Sequence, residues 1–188
     1  MSGPEKIEKN VAKRVEELTD TTNNDAAQQR QLQPDTPIDE VTLERIADIF
    51  ESEGLEYRIE EQKTQDGQTV NLLRTGFSNA AIAFQLVGSS LIVDSVWRGS
   101  VPASEGPALL MHINAWNQDH FTPTFRFFEA PDNALAVSGA RDLDVTHGAS
   151  RNQLGAFVMS TLDAVLQSFE WIEQQYPQLV TWKEHNHD

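Results

Sequence analysis

The sequence predicts an α+β domain: a mostly antiparallel sheet with packed helices, in the order α-β-β-β-β-α-β-β-α. Three observations predict it. Several short stretches alternate apolar with polar residues, the period of a strand with one buried face. Three longer stretches repeat apolar residues at helical spacing. No strand–helix–strand repeat occurs, which argues against a doubly wound parallel sheet.

The first helix follows a capping Thr42 and buries Leu43, Ile46, Ile49 and Phe50. Gly54 is placed to end it in a left-handed turn, with Leu55 folding back on Phe50. Leu55, Tyr57 and Ile59 alternate with charged residues as a half-buried strand. Asp66-Gly67 turns the chain, and Val70 and Leu72 carry the return strand. Ala80 to Val87 is apolar nearly throughout, as a central strand would be; Gly88-Ser89-Ser90 turns it, and Leu91 to Trp97 returns. Pro102 and Pro107 make the approach to the second helix irregular, with regular turns from about Ala108.

The stretch from Leu109 to Glu129 organises the chain. Leu109, Leu110, Ile113 and Trp116 form an apolar helix face. Asn114 and Asn117 share one side of that helix and bracket the tryptophan. Their amides either satisfy the helix end and its turn, or form a polar recognition pair beside an aromatic platform. Pro123 stops the helix, and Phe121 to Glu129 reads as a strand. Pro131-Asp132-Asn133 makes a turn, and Leu135, Val137 and Gly139 complete a hairpin. Thr146-His147-Gly148 is a loop, and Ser150 with Gln153 is a capping box. The last helix carries one apolar stripe from Leu154 to Tyr176, and Pro177 ends it.

Residues 1 to 37 differ from the remainder. They contain no aromatic residue, and Ile7, Val11, Val15 and Leu18 repeat at helical spacing among charged neighbours. A flexible tail with a short amphipathic helix is expected there. Residues 38 to 180 are the folded domain, and 181 to 188 a polar tail. The chain carries 29 acidic and 14 basic residues, a formal charge of −15. That balance argues against binding nucleic acid or an anionic membrane through a basic face. With no cysteine, disulfides, thiolate metal sites and thiol nucleophiles are excluded. No long apolar run follows Met1, so neither a signal peptide nor a membrane span is expected, and the reading is cytoplasmic.

Ile113-Asn114-Ala115-Trp116-Asn117, Phe121 to Phe127, Gly148-Ala149-Ser150 with Gln153-Leu154, a closing Tyr176-Pro177 and the preceding Trp97-Arg98-Gly99 resemble the YbjN family of bacterial proteins. The resemblance covers about residues 40 to 180. It implies a sensory transduction regulator with a fold like that of type III secretion chaperones, small acidic proteins that bind other proteins and often dimerise. It carries over no catalytic residue.

A search for chemistry finds little. Gly99, Gly106 and Gly148 are isolated, so no phosphate-cradling glycine loop is present. His147, Asp144 and Ser150 lie close in sequence, but Ser150 is explained as a helix cap and no G-x-S-x-G pattern occurs. His185, His187 and Asp188 read as a frayed polar tail, and the carboxylate pairs Glu51/Glu53, Glu60/Glu61 and Asp142/Asp144 as a solvated surface. Trp97 and Trp116 are either core or, with Phe125 and Phe127, a groove lining.

The expected function is a non-enzymatic protein-interaction or chaperone-like module without cofactor or metal. Its protein partner is unspecified, and Trp97, Asn114, Trp116, Asn117 and Arg126 are its candidate binding residues. The alternatives are a hydrolase using His147 and Asp144, or a purely structural homodimer. Removing residues 1 to 36 is expected to leave the thermal midpoint nearly unchanged; a melting curve of the truncated chain checks this.

Overall fold

The computed structural model describes residues 35–63 and 66–182. The expected tail helix around Ile7 to Leu18 and the C-terminal His185, His187 and Asp188 lie outside the described residues.

Helix α1 (Leu43–Ser52) begins at Thr42, whose hydroxyl accepts the Arg45 amide at 3.3 Å. It ends in a Schellman turn: Gly54 has φ 67°, its amide donates to Glu51, and the Leu55 amide reaches Phe50 at 2.8 Å. Four strands follow: β1 (Arg58–Lys63), β2 (Thr69–Gly76), β3 (Ala80–Val87) and β4 (Ser90–Trp97). A two-residue β5 (Val101–Pro102) and one 3-10 turn lead into α2 (Gly106–Asp119). Strands β6 (Thr124–Ala130) and β7 (Ala134–Asp144) form a hairpin, and α3 (Arg151–Gln175) closes the fold. The predicted α+β order is therefore present, with β5 added.

All pairings are antiparallel, and β1-β2-β3-β4-β7 run side by side. Strand β7 is longer than the sequence predicts because it serves three neighbours. Its C-terminal half pairs β4, its start pairs β5 on that same edge, and its other edge pairs β6.

The helices cover one face of this sheet. Ala80, Ile82 and Phe84 of β3 lie beside Trp97, Ser95 and Val93 of β4, and all are buried. The α3 stripe from Leu154 to Ile172 packs there with Ile46 and Phe50 of α1. The opposite face holds Asp94, Arg126 and Arg74, each out of phase with a core neighbour.

Two boundaries differ from expectation. Strand β1 starts at Arg58 rather than Leu55, because Leu55 and Tyr57 are spent closing the helix turn over the core. Ile59 is 44% exposed, so the predicted alternation runs past the edge of the core. Strand β6 starts at Thr124 rather than Phe121, because Pro123 has no N–H to give to a ladder.

The start of α3 is over-determined. The Ser150–Gln153 capping box forms with both bonds in place. Asp39 and Ala149 exchange backbone bonds, and Arg45 donates to the carbonyls of Asp39, Glu40 and Ala149. Gly148 sits inside this clamp at φ 75°, and a Cβ there would stand 2.3 Å from the Asp39 carbonyl oxygen. Gly54 also has positive φ but open space around it. Gly148→Ala is therefore expected to lower the melting midpoint clearly more than Gly54→Ala, which pays only the left-handed strain. Parallel melting curves of the two variants check the order.

Candidate functional site

Helix α2 delivers the chain to β6, and its last turn fastens the two together. Leu109, Ile113 and Trp116 recur at positions i, i+4 and i+7 and are buried. Leu110 lies off that line and is 47% exposed, so it does not belong to the buried face the sequence predicts. The Trp116 indole N–H donates to the Pro123 carbonyl at 3.1 Å. The Asn117 amide donates to the Phe125 carbonyl and accepts the Phe125 amide, both at 2.8 Å. One side chain thus satisfies both backbone groups of a strand residue, as a neighbouring strand would.

An aromatic core lies beneath. Trp116 touches Phe125 at 5.2 Å and Trp171 at 5.3 Å between ring centroids, and Phe125 stacks on Phe169. His120 stacks flat on Trp116 at 3.7 Å, and His112 stands edge-on to Trp171 and Tyr176. Burial raises the Tyr176 hydroxyl above its ordinary value, with the Glu105 charge adding to it.

The candidate residues do not converge. Trp97 and Trp116 are 1% and 7% exposed, so both are core; neither indole face is open to a partner, contrary to a groove lining. Trp97 packs edge-on against Trp182 at 5.8 Å. Asn117 is the latch to β6, while Asn114 is exposed on α2. Arg126 stands on the helix-free face, paired with the Asp94 carboxylate and 3.3 Å from the Ser138 hydroxyl. With both partners about half exposed, that pair contributes at most about 1 kcal/mol.

Asp144 and His147 are not arranged around a nucleophile. The Asp144 carboxylate accepts the hydroxyl and amide of Thr146, and these bonds hold it below the usual carboxylate value. The Ser150 hydroxyl is committed to the Gln153 amide. No cluster of three or more metal-ligating side chains occurs among the described residues.

What the sequence reading missed is an apolar groove between α2 and β6. Ala103, Pro107, Leu110, Phe127, Ala130 and Leu135 line a cavity of about 560 Å³. On the opposite face of β6 Phe128 is 50% exposed, and Met111 and Phe121 also face solvent. The signal was present: Leu109-Leu110-Met111 places three large apolar residues in a row, and a helix can bury only part of such a run.

These features define an α+β scaffold built around a sheet edge and an apolar groove. The chain belongs to the YbjN family: the family model, described as "Putative bacterial sensory transduction regulator", matches residues 42–174. Its fold is similar to the crystal structure of YbjN from E. coli, described as "a putative transcription regulator". The TM-score is 0.58 at 14% identity, over 77% of this chain and 98% of that one. No curated protein matches the chain. No helix among the described residues is long and apolar enough to cross a membrane.

Trp116→Ala is expected to destabilise the domain by about 3–5 kcal/mol. Thermal or denaturant unfolding checks it; an unchanged midpoint would mean that the ring is not core.

Proposed function

We propose that the chain is a non-enzymatic, chaperone-like interaction module that takes an extended segment of a partner polypeptide along β6. One observation carries this reading. Strand β6 ends the sheet and pairs only with β7 among the described residues; Asn117 takes the backbone groups of Phe125, and the edge beyond it borders the groove of Pro107, Leu110 and Phe127. An open edge offers backbone donors and acceptors to an added strand, and alternate side chains of that strand would enter the groove. Arg126 and Asn114 are retained as rim contacts; Trp97, Trp116 and Asn117 act by holding the edge in place.

The regulator descriptions of the family and of the E. coli protein support a regulatory purpose for this docking. We place it in the cytoplasm, in keeping with the cysteine-free sequence. A homodimer is the second reading, because the exposed Leu110, Met111 and Phe128 would equally suit another copy of the chain.

Leu110→Glu in the groove and Phe128→Glu on the other face of the same edge strand test the proposal, since both side chains are about half exposed and the fold does not need them. Pull-down from native cell extract should retain a defined protein with the wild type and lose it with either variant at unchanged melting midpoint. Sedimentation velocity separates the readings: a wild-type dimer that the variants convert to monomer makes the patch a self-interface. Equal retention by wild type and variants would sink both.

A further inference from the structure

At the opposite end of the sheet from β6, three arginines line one cavity in a chain whose acidic residues outnumber its basic ones 29 to 14. The cavity, about 420 Å³, is walled by Arg58, Arg74 and Arg98 and floored by Gly76 and Ala81. Arg58 and Arg74 are directly opposite in the β1–β2 ladder, so both side chains rise from one face. Arg74 alternates with the core residue Leu73, which makes that face the one without helices. Gly76, two residues on, shares it.

Arg98 reaches the same place from beyond the end of β4. Its Nε donates to the Phe77 carbonyl at 2.7 Å, and its Nη2 lies 2.8 Å from where a Cβ on Gly76 would stand. A side chain at position 76 would push this guanidinium away.

Like charges directly opposite in a ladder are destabilising, and folding alone does not require them. Glu60 takes the Nε groups of Arg58 at 2.5 Å and Arg74 at 2.9 Å, and Arg74 also donates to Gln62. One shared carboxylate leaves the three guanidiniums in excess, and with Glu56 counted at the rim the balance is still positive. Planar guanidinium forks match the oxygens of phosphoryl and carboxylate groups alike. The excess of positive charge favours the doubly charged phosphoryl group over a single carboxylate.

We propose that this cavity binds the phosphoryl group of a small soluble compound. A small ligand meets the local field of the arginines, whereas the charge of −15 repels an extended anionic surface. The site is independent of the β6 edge, so either assignment can fail without the other.

Calorimetric titration of the full chain with inorganic phosphate and pyrophosphate, at low ionic strength, tests it. The expected result is saturable one-site binding, tighter for pyrophosphate. Arg74→Gln and Arg98→Gln should each weaken it about tenfold, as the loss of a charge-assisted pair does. Arg126→Gln, which removes a cation from the same face outside the cavity, should not. Gly76→Ala keeps every charge but displaces Arg98, and should weaken binding as well; it carries the test if an arginine variant fails to fold. No saturable binding, wild-type affinity in the folded cavity variants, or an equal loss with Arg126→Gln would overturn the site. Co-sedimentation with phosphatidic acid vesicles but not with phosphatidylcholine vesicles would overturn the assignment to a soluble compound.

Discussion

Strand β7 is hydrogen-bonded along both edges, and the other elements take their places from it. On one side it pairs β4 and then β5; on the other it pairs β6 from Thr124 to Ala130. A strand paired on both sides cannot slip by one residue without turning Val137 out of the core and Ser138 into it. This register aligns Phe125 and Phe127 on the helix-covered face, where Asn117 and Trp116 meet Phe125. It also leaves β6 outermost. The outer edge of the sheet thus follows from the position of β7.

Helix α2 adds a local condition to that topology. The Asn117 amide supplies what a backbone neighbour would have given Phe125, and the Trp116 indole holds Pro123. The Trp116 bond is buried and the Asn117 bonds partly so, above the Trp171 and Phe169 rings of α3 that pack on Trp116 and Phe125. Rigid support of this kind lets an open edge remain ordered while unpaired. The groove above it stays exposed because α2 has more apolar residues than one stripe can bury.

Much of this fold was legible in the sequence, and the reasons are local. Thr42, Gly54, the Ser150–Gln153 box and the turn at Pro131 to Asn133 are short-range signals whose chemistry acts within a few residues. The long α3 stripe was legible for the same reason, being periodic over its whole length. The first strand was misplaced because its alternation is real but belongs partly to a helix turn. The candidate site was less legible. Aromatic residues look the same in a core and in a groove, and only burial separates Trp97 and Trp116 from Phe128. The arginine cavity depends on a cross-strand register and on a residue beyond β4, neither of which spacing along the chain reveals.

The break between β4 and β5 links two parts of the molecule that otherwise share nothing. At Arg98-Gly99-Ser100 the chain leaves the ladder, and Gly99 lies so close over the Trp97 indole that a Cβ would come within 2.2 Å of the ring. The same kink throws Arg98 back across Gly76. Indole and guanidinium therefore hang from one pivot, the first pointing inward and the second outward. The residue that fills the interior and the residue that charges the outer cavity are thus neighbours in the chain, with one peptide bond between them.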